Sequence, residues 1–182
     1  MYIDSLTTVW SSDAYELTTL CLTSYILISL RLLRAGDVES NPGPVFDSNT
    51  NDNGCLSIAH LNIRSIRNKL NYVTDHLSDF DIICFTETHL DGNIANSDLI
   101  IDVHESCIYR KDLNSHSGGL LVYVSDKLVS KRRPDLELDS VHAIWVEVKY
   151  HTSTFLMCNV YRSPGTPVIV WNLFNSFIER AL

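Results

Sequence analysis

The sequence predicts a sheet-rich α/β layer structure behind a separate N-terminal leader. Three observations predict it. From Cys55 onward, short apolar or alternating runs recur with few helical stretches between them, and many strands with few helices make a layered α/β body. The chain changes character near residue 44, where a charge-free run gives way to Asn-Pro-Gly-Pro and then to polar residues. At 45% hydrophobic and 20% charged residues, most of the 182-residue chain has enough apolar surface to fold.

Charge and cysteine usage exclude some classes. A net charge of −8 argues against a general nucleic-acid coat protein, though a bound divalent cation can supply the positive charge that phosphate needs. Cys21, Cys55, Cys84, Cys107 and Cys158 are odd in number and contain no C-x-x-C pair, so neither a zinc site nor a disulfide framework is suggested. With no N-x-S/T sequon either, an intracellular setting, cytoplasm or nucleus, is expected.

The leader spans residues 1–44. Leu17 to Leu30 is a run of fourteen residues without a charge, which predicts an apolar helix. It falls short of the ~20 residues that cross a bilayer, so no stable membrane partner is expected. Asp4, Asp13 and Glu16 occupy the places where a secretory signal carries basic residues, which makes secretion the weaker alternative. Asp37-Val38-Glu39-Ser40-Asn41-Pro42-Gly43-Pro44 follows, and by local rules it is a turn that stops a helix. The string also resembles a viral-type 2A peptide at every defined position: Asp37, Glu39, Asn41, Pro42, Gly43 and Pro44. That resemblance implies ribosome skipping, with the leader held in the exit tunnel as its partner and the Gly43–Pro44 bond left unmade. Residues 45–54 read as a polar linker.

Residues 55–182 carry the α/β pattern. Leu56 to Asn62 alternates like a strand. Ile66, Leu70, Val73 and Leu77 recur at helical spacing and predict a helix over 63–77. Asp81 to Glu87 is a short apolar run ending in polar residues, as buried strands do. Further strands are predicted at Ser106–Arg110, Gly119–Val124, Ala143–Lys149 and Phe155–Tyr161, with a closing helix around Trp171, Phe174, Phe177 and Ile178.

Asn62 and Glu87 fall at the ends of two predicted central strands, where α/β proteins build sites. Singly, Asn62 reads equally as a helix cap and Glu87 as a solvated carboxylate. Four blocks in order say more: Leu61-Asn62-Ile63-Arg64-Ser65, Asp81 through Leu90, Ser117 through Tyr123, and Asn159-Val160-Tyr161-Arg162-Ser163-Pro164. Together they resemble the endonuclease/exonuclease/phosphatase superfamily, and within it the AP-endonuclease-like domain of LINE-type non-LTR retrotransposons. The resemblance implies the first half of a four-layered α/β sandwich and a Mg²⁺- or Mn²⁺-dependent DNA endonuclease. By it, Glu87 holds the metal, Asn62 orients the site and the phosphate, and Tyr161 donates to a phosphate oxygen in the transition state. Arg64 stands where the AP-endonuclease branch often has an acid, so no second carboxylate ligand is assigned.

His89 and the His104-Glu105-Ser106-Cys107 cluster lack partners at zinc-ligand spacing. Lys131-Arg132-Arg133 reads either as a DNA-backbone contact or as a solvated turn before Pro134. The family's later Gly-Asp-x-Asn and Ser-Asp-His motifs do not occur in the chain, so a truncated, inactive domain is expected, with DNA a partner only of the complete one. The alternatives are a phosphomonoesterase or phosphodiesterase of the same superfamily, and a non-catalytic remnant.

Overall fold

The protein's structure, a computed structural model, describes residues 56–101, 104–105, 107–163 and 165–181, with the backbone of three strands in the leader. Those are β1 (Leu6–Trp10), β2 (Leu17–Thr18) and β3 (Ser24–Ser29). The body adds strands β4 (Leu56–Asn62), β5 (Ile82–Thr86), β6 (Cys107–Lys111), β7 (Leu120–Val124), β8 (Val129–Arg132), β9 (His142–Tyr150) and β10 (Ser153–Tyr161). Helix α1 covers Leu70–Leu77 and α2 covers Val168–Ala181.

Two five-stranded sheets result, in the orders β1-β4-β5-β7-β6 and β2-β3-β10-β9-β8. In the first, β4 and β5 are parallel and the other pairs antiparallel; every pair in the second is antiparallel. Alternation explains the packing. Ile82, Cys84, Leu120, Val122 and Val124 of the first sheet meet Ile144, Val146, Val148, Phe155 and Met157 of the second. The opposite face of the first sheet, through Ile83, Phe85, Leu121 and Tyr123, packs with Ile66 and Val73 on the α1 side. The opposite face of the second, through Ala143, Trp145, Cys158 and Val160, is covered by Phe174 of α2 and its neighbours Trp171, Phe177 and Ile178. The chain is therefore a sheet-rich mixture of helix and strand, and among the described residues no helix is long and apolar enough to cross a membrane.

Three expectations need correction. The Leu17–Leu30 run, expected as a helix, is extended where it is described. Ser24–Ser29 (Ser-Tyr-Ile-Leu-Ile-Ser) favours strand by composition, and the edge of β10 offers it backbone partners. The helix expected over 63–77 starts only at Leu70, because Arg64 and Ser65 adopt left-handed backbone with φ of 46° and 74°. Ile66 is fully buried, but its N–H donates to Thr88 O at 3.1 Å instead of entering a helix. Lys131 to Arg133 is not a solvated turn: Lys131 and Arg132 lie in edge strand β8, and both arginines are ion-paired.

Candidate active site

Because β4 and β5 run parallel, their last residues emerge side by side: Asn62 pairs with Thr86, and Glu87 follows directly. Beyond both strands the backbone turns left-handed at residues other than glycine: Arg64, Ser65, Glu87 (φ 53°) and His89 (φ 53°). Such conformations cost on the order of 1–3 kcal/mol each and persist only where the surroundings impose them. Here the surroundings are a ladder of loop hydrogen bonds. Ser65 N–H donates to Glu87 O (2.8 Å), Thr88 N–H to Gly119 O (3.3 Å) and His89 N–H to Gly118 O (3.0 Å). The Lys69 ammonium donates to the carbonyls of Ile63 and Arg64. Arg67 donates to His89 O (3.3 Å) and pairs with Asp91 (2.7 Å). Three loops, 64–66, 87–89 and 118–119, are thus one knotted unit.

The glycines are part of that unit. Gly119 (φ +89°) lies so close to Thr88 that an added Cβ would run into its Oγ1. A Cβ on Gly118 (φ +65°) would come 2.6 Å from Leu113 Cδ2 and 3.3 Å from Tyr161 Cε1.

Tyr161 arrives from the other sheet, at the end of β10, paired with His142. The two rings meet edge to face with centroids 6.4 Å apart, and the His142 Nε2 lies 3.1 Å from Lys111 O. Burial raises the Tyr161 phenol above the usual range, and the negative charge of the nearby Glu87 carboxylate raises it further. Glu87 and Tyr161, widely separated in sequence, are therefore near enough for the charge of one to act on the other. Asn62 lies at the same end of the sheets. Its Oδ1 is buried and has no hydrogen-bond partner among the described residues.

One buried polar residue of the fourth sequence block was given no role of its own by the sequence reading. Asn159, fully buried in the apolar layer between the sheets, donates from Nδ2 to Phe85 O (3.0 Å) and Leu121 O (3.3 Å). It precedes Tyr161 by two places, as Phe85 precedes Glu87, so it ties the sheets together one step below the site. Period-two alternation from Tyr161 was the available signal: an Asn on the inward face of Phe-Leu-Met-Cys-Asn-Val-Tyr needs partners.

The remaining candidates fall elsewhere. His104 is fully buried, with Nε2 2.9 Å from Phe80 O and its ring against Tyr123, so its role is packing. Glu105 is exposed, Cys107 half-buried in β6, and Ser106 lies outside the described residues. His89 contributes its backbone to the knot. The skipping residues Asp37, Glu39, Asn41, Pro42, Gly43 and Pro44 also lie outside the described residues.

Among the described residues no cluster of three His, Cys, Asp or Glu side chains could enclose a metal alone. The donors present still fit one kind of cation. Mg²⁺ binds through one or two carboxylates, completing its shell with water and substrate phosphate. Glu87 is such a carboxylate, and the orphaned Asn62 Oδ1 is a hard oxygen at the same strand ends. Comparison with known proteins finds no family model that matches the chain and no curated protein that matches it.

Proposed function

We propose that residues 55–182 are the first half of a Mg²⁺-dependent DNA endonuclease domain of the endonuclease/exonuclease/phosphatase type. The observation that carries this reading is the placement of Glu87 and Tyr161, from separate sheets, beside one strained, hydrogen-bonded knot of loops. The order of packing, α1, sheet, sheet, α2, supports the four-layered sandwich that the reading requires.

Each residue has a task in this reading. Glu87 is the ligand for Mg²⁺ or Mn²⁺, which when bound neutralises phosphate charge and polarises the phosphorus centre. Tyr161, kept neutral by its raised pKa, donates its hydroxyl proton in a hydrogen bond to a phosphate oxygen as negative charge grows there. Asn62 orients its neighbours and the phosphate through its amide. A base for water and a partner for the leaving oxygen are still required, and the motifs that supply them are not among these residues.

The test is plasmid nicking. The 182-residue chain should not nick supercoiled DNA in Mg²⁺. Joined to a segment carrying the Gly-Asp-x-Asn and Ser-Asp-His motifs, it should. In the joined protein Glu87→Gln should abolish metal-dependent cleavage with the fold retained, and Tyr161→Phe should slow it roughly ten- to a thousandfold, the scale of one transition-state hydrogen bond. A folded joined protein that never nicks DNA, or one that Glu87→Gln leaves fully active, would overturn the proposal.

A further inference from the structure

The arginines whose side chains are described divide into two groups. Arg67 pairs with Asp91, Arg110 with Asp112, Arg132 with Glu137, and Arg133 with both Asp135 and Glu147. Arg64 and Arg162 pair with no carboxylate among the described residues. Anions are not scarce in a chain with 22 acidic and 14 basic residues, so position, and not supply, separates the groups.

Both unpaired arginines flank the candidate site. Arg64 is exposed, lies two residues past Asn62, and precedes Ser65, whose N–H is bonded to Glu87 O at 2.8 Å. Its left-handed φ of 46° and the Lys69 bond to its carbonyl (2.9 Å) fix where its side chain leaves the loop. Arg162 directly follows Tyr161, and its guanidinium stands over the Trp171 ring, 5.5 Å from the centroid. Stacking on an aromatic face orients a guanidinium while leaving its in-plane N–H donors free, and those donors match phosphate oxygens.

We infer that Arg64 and Arg162 form a two-sided clamp on the DNA backbone, each holding a phosphate beside the one presented to Glu87 and Tyr161. The inference rests on the endonuclease reading for the identity of the anion. It adds the residues that bind the strand and the means by which an acidic chain does so: every other arginine whose side chain is described is neutralised internally, so among those side chains the unpaired guanidinium charge lies at the mouth of the site.

The experiment is fluorescence anisotropy of a labelled DNA duplex with the full 182-residue chain in EDTA, across a salt series. Arg64→Gln and Arg162→Gln should each weaken binding several-fold at low salt and flatten the plot of log K against log salt by about 0.9, the loss of one phosphate contact. Lys127→Ala, which removes an unpaired exposed charge beyond the opposite end of β7, should leave the slope unchanged. Arg64 is exposed and has no packing to lose, so its variant decides the matter even where Arg162→Gln disturbs α2. The clamp is overturned if wild-type chain shows no salt-dependent binding, if Arg64→Gln keeps the wild-type slope, or if Lys127→Ala lowers it equally. Because binding is read without metal, the two ideas fail separately. Loss of slope in the arginine variants, alongside a joined protein that never cuts DNA, removes the endonuclease reading and keeps the clamp; cleavage by the joined protein with an unaltered slope does the reverse.

Discussion

Burial of His60, two residues before Asn62 on the same face of β4, lowers its pKa from 6.5 to about 4. Its Nε2 has no partner among the described residues. Between those values the unfolded chain binds the proton and the folded chain does not, so stability is full above about pH 6.5 and declines as pH falls towards 4. His142 is lowered too, by burial first and then by the Lys111 charge, and acts in the same direction. Unfolding free energies from urea titrations should therefore drop between pH 7 and pH 5 by an amount on the order of 1 kcal/mol. His60→Gln should flatten that dependence in part, and a wild-type midpoint indifferent to pH would contradict the assignment. The sequence placed Asn62, Glu87 and Tyr161 at strand ends, as the structure does. It did not show that Glu87 and Tyr161 come near each other, because that depends on how two sheets stack, and no local pattern encodes it.

Strands were the legible elements. Alternation and apolar runs placed β4, β5, β6, β7, β9 and β10 within a residue or two, since each is bounded by turn-forming or polar residues. The segment 63–69 was misread because Ile66 and Leu70 keep helical spacing although the chain between β4 and α1 is spent on the knot. Edge strand β8 was missed because Val-Ser-Lys-Arg presents one exposed, mixed face with no apolar side to read. The knot itself invites a matched pair of substitutions. Gly119→Ala forces a Cβ into Thr88 at φ +89°, while Gly92→Ala meets nothing within 4 Å. The first should destabilise the chain by roughly 2 kcal/mol or more, and the second by less than about 0.5 kcal/mol. Equal urea midpoints for the two variants would mean that the three loops yield more easily than their hydrogen bonds suggest.

For the molecule as a whole, the leader poses the question of how many chains one reading frame yields. The match of Asp37 to Pro44 to the 2A pattern leads to the expectation of two products, residues 1–43 and 44–182. Cell-free translation with labelled methionine should show both in the absence of any protease. One full-length band, unchanged by Pro44→Ala, would dismiss the skipping reading. The leader's place in the fold was not legible: its uncharged residues suit a helix in isolation, and only the free edges of β4 and β10 favour an extended form. An edge partner is tertiary information.

The pairing of β1 with β4 and of β3 with β10 then acquires a meaning in terms of mass action. Within one polypeptide a tethered strand meets its edge at an effective concentration in the millimolar range. If translation leaves the Gly43–Pro44 bond unmade, the same pairing becomes bimolecular and loses that effective concentration. Each ribosomal passage across that bond would therefore decide between a body whose sheets end in its own strands and one with two open ladders, ready to recruit whatever extended segment is most abundant nearby.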